Sequence, residues 1–228
     1  MSNVIQSIKQ MDPVIRINVK IATIAIAIVV AIIATLVCIS KSQEDLLYSE
    51  YTYNIQRENV ELMYDGARAD LVQCIDSTIR SYAPTTCMNG LEILRQCEEG
   101  NIDLFFVLAQ GHIESHFGTK GMALKTNSVF NIFAYDGHDY QKINKKGKYK
   151  HPDLSLIPYI KLLNDKYLVD GKTEKDLMVN FVDVNGNRYA SSKDYENNLT
   201  NMYNRYTSNK RLMNCYRSYT KYKILSGK

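Results

Sequence analysis

NIDLFFVLAQGHIESHFGTKGMALKTNSVFN, residues 101–131, reads as an apolar helix that carries one carboxylate, Glu114, just before a glycine-containing break. Leu104, Phe105, Leu108, Ala109 and Ile113 make the helix apolar nearly all round, so it is expected at the centre of a core. Asn101 is a candidate N-cap, with Asp103 in the first turn where negative charge suits the helix dipole. Gln110 lies four residues before Glu114 and therefore on the same face. Gly118 and Gly121 are expected to end the helix and fold the chain back across the carboxylate. A half-buried glutamate in such a place has its pKa raised, which suits a proton donor, whereas a plain structural glutamate would be paired with a lysine.

Outward from this stretch, the N-terminal side divides by composition. Residues 1–20 are short, polar and basic, with Lys9, Arg16 and Lys20. Residues 21–39, IATIAIAIVVAIIATLVCI, hold no charge. At ~1.5 Å per residue such a helix matches the hydrocarbon core of a bilayer, so a single-pass transmembrane signal anchor is expected. The basic flank lies on its N-terminal side, while Lys41 is soon followed by Glu44 and Asp45. This places the N-terminus in the cytoplasm and the rest outside, on the periplasmic or cell-wall side. Residues 40–84 read as a stalk passing into an amphipathic helix, with Val60, Met63, Tyr64, Ala67, Leu71, Cys74, Ile75, Ile79 and Tyr82 at steps of three and four. Ala83-Pro84 ends it. A second short helix is expected over residues 91–99.

Cys74, Cys87, Cys97 and Cys215 follow the apolar segment, an even count that favours disulfides in an exported domain. If the chain reverses near Thr85, Cys97 faces Cys74 and Cys87 is left for Cys215; four reduced, buried cysteines are the alternative. A net charge of +4 is too mild to suggest a nucleic-acid partner. His112 and His116 have metal-ligand spacing but no third ligand in pattern, and neither metal nor cofactor is expected.

Downstream, Lys142, Lys145, Lys146, Lys148 and Lys150 form a solvated basic loop or an attraction for an anionic polymer. His151-Pro152-Asp153 opens a helix with Leu156, Tyr159, Ile160 and Leu163 on its inner face. Leu177 begins another packed element, Asn185-Gly186 is a turn, and residues 195–206 form a last helix. Residues 208–228, basic and tyrosine-rich, are expected as a loosely packed tail.

Three elements in order carry a family resemblance: AQGHIESHFG at residues 109–118, TNSVFNI at 126–132, and RYASSKDYENNL at 188–199. Together they resemble the bacterial and phage endo-β-N-acetylglucosaminidases (mannosyl-glycoprotein endo-β-N-acetylglucosaminidase-like peptidoglycan hydrolases), over roughly residues 102–206. The resemblance implies a mainly α, lysozyme-like α+β catalytic domain over residues 85–207 with a small β-hairpin lobe. It implies peptidoglycan glycan strands as the substrate, cut at N-acetylglucosamine linkages. Glu114 would be the general acid and Tyr189 would line the site opposite it. Gln110, Asn127, Phe130, Asn131, Tyr135 and Tyr195 would meet or shape the sugar.

The sequence departs from the pattern at His116, at Asn131 and in the second acid: no glutamate occurs between Glu114 and Glu174. Asp136 and Asp139 are the candidate bases, with Asp153 the other carboxylate of the region, and Asp136-Gly137 reads equally well as a hairpin turn. Cleavage assisted by the substrate's own acetamido group needs no second carboxylate and is the expected mechanism. A lytic transglycosylase on the same fold, or an inactive wall-binding protein, is the competing reading.

Overall fold

The computed structural model describes residues 13–132 and 147–228, with side chains from residue 22 onward. It divides into two compact units, residues 1–59 and 60–228. The expected hairpin at Asp136-Gly137, the candidate residues Tyr135, Asp136 and Asp139, and Lys142, Lys145 and Lys146 lie outside the described residues, as does Lys9.

In the first unit the described residues belong to helix α1, Pro13–Tyr82, which continues into the second unit. Its apolar stretch has a mean hydropathy of 3.0 over an 18-residue window and none of that window is buried by protein, so it is long and apolar enough to cross a membrane. Ile24, Ile28, Ile32 and Leu36 all stand exposed.

The second unit is helical. From Tyr64 onward α1 acquires an inner face: Tyr64, Ala67, Leu71, Cys74, Ile75 and Ile79 are buried, following the three-and-four spacing, whereas Met63 is exposed. Helix α2, Gly90–Gly100, is capped by the Asn89 side chain, which accepts from Leu91 N. Its start comes close to α1: a Cβ on Gly90 would sit 2.8 Å from the Val72 carbonyl oxygen. Asn101 is a C-cap rather than an N-cap. It closes α2 with left-handed φ of 51°, and the N-cap of α3, Leu104–Ser115, is Asp103, whose carboxylate accepts from Phe106 N at 2.9 Å. Only three residues join the two helices, so one must turn left-handed to close the first and another must cap the second; asparagine accepts the left-handed conformation and aspartate supplies the cap.

Helix α3 is the expected core helix: every residue from Leu104 to His112 is buried. The single turn α4, Ala123–Thr126, follows. After a 3₁₀ turn at Pro152–Ser155 come α5, Leu156–Leu162, and a wide turn, Leu163–Tyr167. Leu156, Tyr159, Ile160 and Leu163 are all buried, as expected. The short α6, Glu174–Leu177, leads to a turn at Asn185-Gly186, and α7, Tyr195–Thr207, packs along α3. Among the described residues there is no strand. A lone antiparallel bridge joins Val182 to Arg188, and the expected β-hairpin lobe gains no support.

Two further expectations are corrected. Residues 208–228 are not a loose tail: they form α8, Lys210–Ser226, with Leu212 and Tyr219 buried. Tyr219 packs 5.9 Å from the Tyr64 ring and donates to Glu98 at 2.6 Å, and Glu98 is paired with Arg68 at 2.7 Å. For the same reason the cysteine pairing differs. Cys74 of α1 is joined to Cys215 of α8, with Cα atoms 6.6 Å apart, while Cys97 is buried and free and Cys87 exposed and free. The α1–α2 reversal does bring Cys97 into the core, but α8 is the helix laid against Cys74.

Candidate active site

Glu114 sits one residue before the end of α3, where the apolar helix meets polar groups from three other segments. The helix stops at Ser115 because the next residues turn left-handed: His116 has φ of 52° and Phe117 of 54°, followed by Gly118 at 82°. Two consecutive non-glycine residues in that region are uncommon. They are held by Phe117, wholly buried, and by the Thr86 hydroxyl, which donates to the Phe117 carbonyl at 2.7 Å. Ser115 ties this turn to the next segment, donating to the Val129 carbonyl at 2.7 Å and accepting from Gly118 N at 2.8 Å. The chain therefore folds back across Glu114 two residues earlier than the glycines alone suggest.

The returning loop carries Asn127, Phe130 and Asn131. Asn127 and Asn131 are both left-handed, with φ of 55° and 49°. The Asn131 amide donates to the backbone carbonyl of Glu114 at 2.9 Å and to its Oε2 at 3.2 Å, so one side chain holds both the end of the helix and the carboxylate. Its Oδ1 is buried without a hydrogen-bond partner among the described residues. Asn127 instead donates to the Tyr149 carbonyl at 2.9 Å and braces the loop. Phe130 is buried and stacked on Tyr159 with ring centroids 3.7 Å apart, so it shapes the site from behind and presents no face to a sugar.

The other oxygen of Glu114 belongs to Tyr195, whose hydroxyl, at the start of α7, donates to Oε1. Behind Tyr195 stands Gln110. It was expected to meet substrate but has no exposure at all; its Nε2 donates to the Tyr195 oxygen at 3.1 Å and its Oε1 accepts from the Tyr159 hydroxyl. Placing an amide one turn before Glu114 on a fully packed helix leaves it nowhere to face except the core. Tyr189 donates to the Phe130 carbonyl at 2.9 Å and stacks on Phe181 with ring centroids 4.5 Å apart. Its hydroxyl therefore joins the 181–195 segment to the returning loop beside Glu114.

Burial dominates the electrostatics. Glu114 is pushed above the ordinary carboxylate range by loss of hydration, opposed by the hydrogen bonds from Tyr195 and Asn131. The Tyr195, Tyr189 and Tyr159 phenols are held protonated far above their ordinary value, chiefly by burial, with the Glu114 charge adding to it in each. Hydroxyls in this state serve as fixed donors. Asp153 is engaged elsewhere, accepting from Asn89 N at 3.0 Å next to His151. His112 and His116 stack edge to face 4.3 Å apart, and His112 Nδ1 lies 2.9 Å from the Tyr206 hydroxyl. No group of three or more potential ligand side chains capable of holding a metal forms among the described residues.

Glu114 is thus a part-buried carboxyl that accepts hydrogen bonds on both oxygens at the end of a core helix. A family model described as mannosyl-glycoprotein endo-beta-N-acetylglucosaminidase matches residues 92–208, just over half of the chain. The chain belongs to this glucosaminidase family, and its domain is that of a glycoside hydrolase. The match contains the three elements that carried the resemblance and begins earlier, inside α2. Comparison with curated proteins finds no match.

Proposed function

We propose that the protein is a membrane-anchored peptidoglycan hydrolase that cuts the glycan strand at N-acetylglucosamine linkages, with Glu114 as general acid. The observation that carries this reading is the state of Glu114: a carboxyl raised by burial, gripped by Tyr195 and Asn131, in a domain of this family. Glu114 gives its proton to the glycosidic oxygen as the bond to the sugar's anomeric carbon breaks, the bonding electron pair leaving with that oxygen. The acetamido oxygen of the same sugar then closes on the anomeric carbon, and water opens the resulting oxazolinium ring. Substrate assistance is favoured because Asp153 is committed to the backbone of Asn89. Asp136 or Asp139 would activate the water if a carboxylate does so.

The apolar part of α1 anchors the chain with its basic N-terminal flank in the cytoplasm and the catalytic domain outside, facing the wall. Residues 85–207 form the catalytic unit in this reading. The test is digestion of purified sacculi. Wild-type chain releases fragments with reducing N-acetylglucosamine ends, and Glu114→Gln reduces release by ~10²–10⁴-fold, the range for a general acid. Full activity in Glu114→Gln sinks the assignment, and a 1,6-anhydro muramic end would move the reaction to the transglycosylases.

A further inference from the structure

Behind Glu114 lies a chain of buried hydrogen bonds that the proposed reaction does not itself require. Gln110 lies between two tyrosine hydroxyls: Tyr159 donates to its Oε1, and Tyr195 receives from its Nε2 at 3.1 Å.

These commitments allow the amide one orientation. Were it turned over, Oε1 would face the Tyr195 hydroxyl and draw its proton away from Glu114. Nε2 would face the Tyr159 hydroxyl, which is wholly buried against Phe130 and would lose its acceptor. The buried Tyr159 proton would be left without a partner and Glu114 would lose its Tyr195 donor, so the amide stays as it is. With Nε2 donating to it, the Tyr195 oxygen has its single proton free to give, and the acceptor it meets is Glu114 Oε1. Oε1 is then occupied by an incoming donor and is the poorer place for a proton. Oε2 has the looser contact, 3.2 Å from Asn131 Nδ2, and a protonated oxygen still accepts there through its remaining lone pair.

We propose that Gln110, held in one orientation by Tyr159 and Tyr195, is a positioning residue that makes Tyr195 donate to Oε1 of Glu114, so that Oε2 carries and delivers the proton. This rests on the reading of Glu114 as general acid. In the step itself the Oε2–H bond breaks and a bond from that hydrogen to the glycosidic oxygen forms. The electron pair of the broken sugar–oxygen bond stays on the leaving oxygen. The negative charge gained by Glu114 spreads onto Oε1, where the Tyr195 hydroxyl already points. The relay thus strengthens as the proton leaves, favouring the transition state over the ground state. The titratable groups that face Glu114 among the described residues are the phenols of Tyr195, Tyr189 and Tyr159, with the Asn131 amide opposite.

The test uses the full chain in detergent, labelled with ¹³C at the glutamate carboxyl carbons, the Glu114 signal being identified by its loss in Glu114→Gln. Tyr159→Phe removes no hydrogen bond to Glu114 or Tyr195, and Gln110→Met removes the amide at similar length. Each frees the Tyr195 hydroxyl to accept from a protonated Glu114, which stabilises the acid form. In both variants the titration midpoint of Glu114 and the alkaline limb of kcat/KM should move together to higher pH, by about half a unit, roughly a threefold change in proton affinity. KM should be unchanged. A midpoint and limb that stay in place in whichever variant folds, or that move to lower pH, overturn the relay even if thermal stability falls. A Glu114→Gln chain that still digests sacculi overturns the delivery step instead, and leaves the titration readable on its own.

Discussion

Tyr195 and Asn131 oppose burial at Glu114, and the balance can be tested one side chain at a time. Tyr195→Phe removes the donor that favours the ionised carboxyl, so the Glu114 pKa should rise further and the alkaline limb of activity should shift upward, read from a pH–rate profile on a soluble chitooligosaccharide. The sign follows from the general-acid role: activity needs the proton, and a higher pKa keeps it on to higher pH. His112 makes the opposite case. Burial and the neighbouring His116 hold its pKa down to about 4 from 6.5, so the folded state resists its protonation. The unfolded chain binds that proton first. Stability should therefore fall as pH drops from about 6.5 through about 4, and His112→Gln should flatten that fall in thermal melts taken across the window.

At the level of elements, α8 is bound to α1 by a disulfide, by Tyr219 against Tyr64, and by Glu98 bridging Tyr219 and Arg68. The Cys74–Cys215 link closes a separation of 141 residues, so losing it should cost on the order of 2–5 kcal/mol through the unfolded chain. Cys215→Ser should lower the melting temperature, and adding reductant should do the same to wild type but nothing more to the variant. Leu71, wholly buried on the inner face of α1, is the packing counterpart. Leu71→Ala should cost about 2–5 kcal/mol in chemical denaturation. The buried face of α8 was visible in principle: Leu212, Cys215, Tyr216 and Tyr219 repeat at steps of three and four. Its high charge masked the pattern, because a helix whose outer face is lysine and arginine looks like a solvated tail until its partner is seen.

At the level of the whole molecule, the chain separates into residues 1–59 and 60–228. The proposed anchor lies in the first, and Glu114 with the residues that grip it lies in the second. A chain beginning at residue 60 should form the Cys74–Cys215 link and digest sacculi, yet should sediment with the soluble rather than the membrane fraction. Full-length chain should require detergent. Retention of the shortened chain in membranes would point to a second membrane contact and remove residues 21–39 as the sole anchor.

Periodicity by itself determined the helices, because burial of an apolar face leaves its trace in residue spacing: α3 as the core helix, the inner faces of α1 and α5, and the place of Glu114 beside the turn. The order of three short elements was enough to indicate the family. Tertiary structure alone decided which groups meet Glu114. The sequence places Tyr195, Asn131 and Gln110 near the sugar, but hydrogen-bond direction and depth of burial have no period, and only packing of α7 along α3 turns Gln110 inward. The cysteine pairing was decided the same way. A local reversal can be inferred from neighbouring residues, whereas the approach of Cys215 to Cys74 depends on where the last helix lies in space.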